Sequence, residues 1–228
     1  EPPVWSSLIA NFLLKKNYHV KILDAEADNL THEETAQKIA DLSPKLVVFM
    51  VYGQQPSAST QCMPGSRKTC SKLNEITKNE IKSIIIGTHA SALPNKTLQE
   101  EPYTYVCQGE GPITIENLIK YIDGSLKDIK QIPGLWYYDN DNNITSNTPA
   151  KMFENLDINL PGQAWDLLDM SKYKAHNWHT FGNLKTRNHY ASLQTSLGCP
   201  FKCTFCCINA PFERNTIRFW SPEHVISQ

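Results

Sequence analysis

Three thiols, Cys199, Cys203 and Cys206, stand at C-x3-C-x2-C spacing directly behind the apolar run Tyr190–Leu197. Sulfurs on one short loop can converge on a single metal centre and still leave it one protein ligand short of four. An iron–sulfur cluster held in this way keeps one iron open to another ligand, and an open position separates reactive metal sites from structural ones. The competing chemistry is a zinc staple, which takes four ligands, commonly as two separated pairs. Cys207 adjoins Cys206 and needs strained geometry to join the same ion, and His189 and His224 sit at no familiar spacing. Ligand arithmetic therefore favours the cluster, with Cys207 as a packed bystander, and soft thiolates suit a cluster better than carboxylates do.

The elements that must carry this loop alternate along the chain. Val4 to Lys16 has Leu8, Ile9, Phe12 and Leu13 at helical spacing. Val20–Asp24 reads as a short strand, and Thr31 with Glu34 as a capping box opening a helix to about Leu42. Leu46–Tyr52 is a continuous apolar strand of the kind buried on both faces of a parallel sheet. Ser66–Asn79 reads as a helix, Ser83–Gly87 and Tyr103–Cys107 as further strands, and Pro112–Ile122 as a helix with proline in its first turn. The pattern predicts an α/β fold with a doubly wound, flavodoxin-like parallel sheet.

In such sheets ligands sit beyond the carboxyl ends of the strands. Those ends are glycine-rich or polar here: Tyr52, Gly53, Gln54, Gln55, Pro56, Ser57, Ala58, Ser59 and Thr60, then Gly87, Thr88, His89 and on to Leu93 and Pro94, then Gln108, Gly109, Glu110 and Gly111. Glycine lets a large flat ligand approach the backbone, and hydroxyl groups can bond its edges. No G-x-G-x-x-G loop follows a strand, which disfavours a dinucleotide; a flavodoxin-like domain that binds nothing, or another flat cofactor, stays open. Further on, Ile132–Tyr138, an Asp139–Asn143 turn and Ile144-Thr145 predict a β-hairpin, whose acidic tip lacks the glycine and glutamate of a calcium loop. His176, Trp178, His179 and Phe181 form an aromatic stretch that reads as surface packing.

The cysteine spacing, with Phe205 before the third thiol and Gly198-Cys199-Pro200 at its opening, resembles the radical S-adenosylmethionine family. The resemblance implies that Cys199, Cys203 and Cys206 hold a 4Fe-4S cluster. The open iron would chelate S-adenosylmethionine, Phe205 would lie near the adenine, and reductive cleavage would give a 5′-deoxyadenosyl radical. It further implies an electron donor of flavodoxin or ferredoxin type and a small-molecule substrate. Leu156–Tyr173 is similar to the linker, and Arg218–Glu223 to the lead into the first barrel helix, of that family. Tyr190–Leu197 is then expected to open a partial (β/α) barrel, with the cysteines at its carboxyl end.

The first half resembles the cobalamin-binding domain that precedes such domains, through Gly87-Thr88-His89-x-x-Ala92-Leu93-Pro94 and Gly109-Glu110-Gly111. Thr88 replaces the second glycine of the usual loop, the first strand is missing, and no Asp-x-His-x-x-Gly segment exists. The implied cofactor is cobalamin without that axial histidine. His89 reads as a hydrogen-bonding residue ahead of a cobalt ligand, and Glu110 equally as a helix cap or a ligand contact. The expected organisation is 1–125 cobalamin-binding, 126–188 hairpin and linker, and 189–228 the start of the radical domain. The leading reaction is methyl transfer to an unactivated carbon. The alternatives are a zinc or electron-carrying module without activity, and a radical enzyme whose front domain no longer binds cobalamin.

Composition limits the partners. The 228 residues are 40% hydrophobic with a formal net charge of −1, so a real core is possible and a general nucleic-acid surface is not indicated. Cys62, Cys70 and Cys107 show no disulfide framework, and a cluster loop needs reduced thiols, which points to the cytoplasm. No signal peptide is visible, and no apolar run approaches the ~18 residues that span a bilayer. Both ends read as cut: the chain opens on Glu1-Pro2-Pro3 without an initiator Met and stops shortly after the cysteines.

Overall fold

The computed structural model describes residues 1–53, 58–175 and 187–228. The stretch containing His176, Trp178, His179 and Phe181, and the site candidates Gln54, Gln55, Pro56 and Ser57, lie outside the described residues. Two compact units share the chain. One comprises Glu1–Leu30, Phe153–Leu197 and Arg218–Gln228; the other comprises Thr31–Met152 and Gly198–Ile217.

The second unit is built on a five-stranded sheet. Its strands are β1 (Leu46–Met50), β2 (Lys82–Ile86), β3 (Tyr105–Cys107), β4 (Leu135–Tyr138) and β5 (Ile144–Ser146), paired in sequence order. β1, β2 and β3 are parallel, whereas β3–β4 and β4–β5 are antiparallel. The expected wholly parallel sheet is therefore mixed. The hairpin adds its strands to the edge because Trp136 pairs with Val106, and its indole N–H donates to Gln108 Oε1 at 2.9 Å. β2 lies between β1 and β3, with Ser83, Ile84, Ile85 and Ile86 fully buried. β1, expected to be buried on both faces, is half-buried along its length, because among the described residues only β2 pairs with it.

Helices fix the strand ends. α2 (His32–Leu42) begins with the predicted capping box: the Glu34 N–H donates to Thr31 Oγ1 at 3.2 Å, and the Thr31 N–H donates to Glu34 Oε2 at 2.8 Å. This satisfies two amides that a helix start leaves without partners. α3 (Ala58–Thr77) starts eight residues before the expected Ser66 and runs through Pro64. Pro64 and Gly65 look like a break in sequence, but burial of Met63, Thr69, Cys70 and Leu73 on one side carries the helix past them. α4 (Thr88–Ala92) and α5 (Pro94–Glu100) follow β2, and α6 (Pro112–Ile122) follows β3 at the predicted residues.

The other unit contains α1 (Val4–Leu14), α7 (Leu156–Asn159) and α8 (Pro222–Ser227). α1 buries Leu8, Ile9, Phe12 and Leu13, and the 161–164 segment is bonded to it. The Ala164 N–H donates to Ser7 Oγ at 2.8 Å, and Asn11 Nδ2 donates to Gly162 O at 2.9 Å. Ser221 caps α8 as predicted, accepting from the His224 N–H at 3.1 Å. Val20–Asp24, expected as a strand, has no regular structure; Lys21 is exposed and the other four residues are half-buried, and among the described residues no strand pairs with its backbone.

The expected barrel is not formed. Of Tyr190–Leu197 only the end becomes strand, as β6 (Ser196–Gly198), and β6 joins β7 (Ile217–Phe219) in a separate two-stranded sheet. Among the described residues no sheet is closed or curled. A barrel requires every strand to have two neighbours around a ring, and two three-residue strands cannot supply them. The apolar run that suggested a buried barrel strand is largely solvated here, with Leu193 44% exposed. No helix of the described residues is long and apolar enough to cross a membrane.

Candidate functional site

The second unit gathers most of the predicted site residues at the carboxyl edge of its parallel strands. Tyr52 and Gly53 follow β1 and are half-buried, the Tyr52 hydroxyl itself lying inside. Burial pushes this phenol well above its ordinary pKa, and the nearby Cys107 and Glu110 add to the effect. Gly87 ends β2 at φ +156°, and a Cβ there would stand 2.1 Å from Val51 O. The two strand ends are thus in backbone contact. Ser59 staples them: its hydroxyl donates to Val51 O and accepts the His89 N–H at 3.0 Å. Ser59 is fully buried, so its hydroxyl aligns the edge from inside.

Thr88, expected in a loop with His89, opens α4 and is 5% exposed; Leu93, just past α4, is 46% exposed. The His89 Nδ1 shares a hydrogen bond of 2.9 Å with Thr60 Oγ1. Partial burial lowers the imidazole pKa, which keeps the ring neutral at physiological pH. Its geometry is that of a hydrogen-bonding residue. After β3, Gly109 and Gly111 take φ values of +124° and +105°, which a side chain disfavours. Ser91, which the sequence placed within the 87–94 strand-end loop without a role of its own, accepts the Gly109 N–H at 3.1 Å and so ties α4 to the end of β3. Glu110 is 6% exposed between the two glycines, ahead of the first turn of α6. A Cβ at Gly109 would meet no atom nearer than Pro211 O at 4.0 Å, so this position has open space over it.

The cysteines belong to the same unit. Gly198 (φ +88°) leads into them, and a Cβ there would lie 2.2 Å from Thr216 O. Cys199 is half-buried, while Cys203, Cys206 and Cys207 are exposed. The Cys206 N–H donates to Cys203 O at 3.1 Å, which makes Cys203 and Cys206 the two ends of a β-turn, with Cα atoms within about 7 Å. Phe201 and Phe205 point outward, 70% and 90% exposed. A 3-10 turn at Ala210–Phe212 closes the segment, with Pro211 and Phe212 buried, and packs on α4. The cysteine segment and the His89 helix are therefore neighbours.

Among the described residues no three His, Cys, Asp or Glu side chains are drawn together as a metal-holding group. The donor set nevertheless fits a cluster: three thiols on one irregular loop, two of them across a turn, with no helix or sheet fixing their side chains. The strand-end face fits a flat, amide-fringed ligand in having small residues, a neutral imidazole and the open position at Gly109. A separate concavity, lined by Leu8, Gln163, Leu193, Trp220 and His224 in the first unit, encloses room for about one water molecule. None of the predicted site residues lines it.

The two classes of thiol differ in chemistry. Burial pushes Cys70 up to about 11 and Cys107 up to about 12. All seven cysteines are free. Iodoacetamide at pH 8 is expected to modify Cys62, Cys199, Cys203, Cys206 and Cys207 in the metal-free native protein and to leave Cys70 and Cys107 intact until denaturant is added. Peptide mass mapping reads the outcome; alkylation of Cys107 in the native protein would contradict this packing.

The chain belongs to the B12 binding domain family, which matches residues 1–119. Its fold is shared with the cobalamin-dependent S-adenosylmethionine radical enzyme OxsB, solved with aqua-cobalamin and S-adenosylmethionine bound. The TM-score is 0.71 at 18% identity, over 100% of this chain and 28% of that one. Curated relatives also match in sequence. An uncharacterised methyltransferase of Pyrococcus horikoshii is 28% identical over 228 residues, covering 100% of this chain and 45% of the relative. The anaerobic magnesium-protoporphyrin IX monomethyl ester cyclase of Cereibacter sphaeroides is 26% identical over 209 residues, covering 90% and 31%. This chain thus spans less than half the length of these curated relatives.

Proposed function

We propose that this chain is the cobalamin-binding and cluster-binding portion of a radical S-adenosylmethionine enzyme. The observation that carries the reading is the placement, in one unit, of a C-x3-C-x2-C loop beside the strand-end face of a B12 binding domain. Residues 1–125 would take cobalamin, and the segment within 189–228 would take a 4Fe-4S cluster through Cys199, Cys203 and Cys206. When loaded, these groups supply one-electron cleavage of S-adenosylmethionine and a transferable methyl group.

The chain's own residues bind and shield. Tyr52, Gly53, Ala58, Gly87, Thr88, His89, Leu93, Gly109, Glu110 and Gly111 would line the corrin, with Ser59 holding two of their loops in register. Phe205 stands uncovered on the cysteine loop, where an adenine ring could stack on it. The relatives' names, a methyltransferase and an anaerobic cyclase, support an enzymatic reaction on a small molecule, and methyl transfer is the reading we favour. An external electron donor of flavodoxin or ferredoxin type and a reducing, cytoplasmic setting follow from a cluster that must be reduced.

Anaerobic reconstitution of the full native polypeptide with iron and sulfide tests this. The expected result is about four irons per chain together with a visible-absorption change on titration with hydroxocobalamin. Stoichiometric zinc in place of iron would overturn the cluster, and an unchanged cobalamin spectrum would leave a radical enzyme whose front domain is vacant.

A further inference from the structure

Cys199 differs from the other two predicted ligands in that a side chain fastens its main chain. The carboxamide of Asn209, ten residues on, receives the Cys199 N–H on Oδ1 at 3.0 Å and returns Nδ2 to the Cys199 carbonyl at 2.8 Å. Only one orientation of the amide satisfies both bonds, because the N–H needs an acceptor and the carbonyl a donor. The same Nδ2 reaches Asn215 Oδ1 at 2.9 Å and, more weakly, Phe201 O at 3.4 Å.

β6 ends at Gly198, immediately before this residue. A primary amide offers the same donor and acceptor as a backbone peptide, so the Asn209 side chain substitutes for the partner strand at the point where regular pairing stops. Asn209 is half-buried and also stands at the start of the turn whose Phe212 N–H donates to Asn209 O at 2.9 Å. One residue thereby links the opening of the cysteine loop to its close.

We propose that Asn209 is a positioning residue for the cysteine loop. It fixes where the first thiol stands relative to the Cys203–Cys206 turn and so sets whether three sulfurs can reach one cluster. This rests on the reading of the loop as a cluster site. Among the described residues, the hydrogen bond that holds Cys203 and Cys206 is their local turn bond, so the separation between that turn and Cys199 depends on the amide bracket. Without it, Cys199 gains the freedom of an ordinary surface loop, and the conformational cost of gathering the ligands rises.

The test uses the full native polypeptide, reconstituted anaerobically, with three readouts: iron and sulfide per chain, the electron paramagnetic resonance spectrum after dithionite, and the thermal unfolding midpoint. Asn209→Ala is expected to keep the wild-type unfolding midpoint, to hold less than half of the wild-type iron, and to give an altered line shape for what remains. Asn209→Asp keeps the acceptor for the Cys199 N–H and loses both donor hydrogens; it is expected to fall between the two. The proposal is overturned if Asn209→Ala carries wild-type iron with the wild-type line shape. It is equally overturned if both variants lose iron only in proportion to lost folded protein, since Asn209 would then serve folding alone. A wild-type chain that takes up no cluster would sink the functional reading itself and is recognised in the unsubstituted sample.

Discussion

Cys203→Ala in the full native polypeptide is expected to abolish cluster iron, taking it from about four per chain to a small residue. Three thiolates are the minimum that leaves one iron open, and with two the cluster has a second iron without a protein ligand. Cys207 is the one thiol near enough in sequence to substitute. Its place argues against rescue: it directly follows Cys206, and its carbonyl is already engaged by the Ala210 N–H at 3.0 Å, at the entry to the turn that packs on α4. Moving the Cys207 side chain inward would drag that turn off its seat. Cys207→Ala should therefore hold wild-type iron, and the double replacement should match Cys203→Ala. Iron retention in Cys203→Ala that disappears in the double variant would show that Cys207 is a ligand and that the assignment of the three thiols is wrong.

Gly87→Ala is expected to be the most damaging single methyl in the second unit, destabilising it by about 3 kcal/mol or more. The new carbon would stand 2.1 Å from Val51 O and 2.8 Å from Val51 C, both backbone atoms that cannot swing aside. Relief would separate the ends of β1 and β2, where the Val51 N–H donates to Ile86 O at 2.8 Å, and would strip Ser59 of its acceptor. Gly65→Ala is the matched control. It sits inside α3, and its Cβ would meet only His32 Cε1 at 3.6 Å, an ordinary contact. Alanine there should be neutral or stabilising by up to about 1 kcal/mol. Urea unfolding followed by circular dichroism measures both. Equal midpoints for the two variants would mean that the strand-end contact at Gly87 is looser than described.

What could be read from the residues was mostly what is local. Thr31 and Glu34 form their box, Pro112 opens α6 and Ser221 caps α8 because each signal acts within one helical turn. The Ile84–Ile86 run announced a buried strand because few environments other than a sheet interior take it. The misreadings concern partners distant in the chain. Val20–Asp24 has the residue types of a strand but, among the described residues, no strand to pair with, and the hairpin strand β4 finds its partner in β3, nearly thirty residues earlier. Pro64-Gly65 has the grammar of a helix break, overridden by the burial of Met63 and Cys70. The barrel was expected from the resemblance of the cysteine loop and its flanking segments to a known family, and such a resemblance says nothing of whether other strands surround Tyr190–Leu197 in this chain.

The same division runs through the candidate site. Cysteine spacing and glycine-rich strand ends are visible as types at intervals. Asn209 and Ser91 are not, since an asparagine or serine in a loop becomes meaningful only when the main-chain group it satisfies is known. One signal was available: Asn209 lies just beyond the thiols and just before Pro211, where a side chain able to imitate a peptide group has use.

The turn at Ala210–Phe212 sets a tether. Four residue steps separate Cys206 from Ala210, and a chain that short can extend no further than about 14 Å. Whatever the third thiol grips is leashed to the flank of the helix that bears His89, so two prosthetic groups lodged on these segments would be obliged to share a neighbourhood. Proximity of that kind is written into the length of the strand of chain between them and needs no hinge to bring it about.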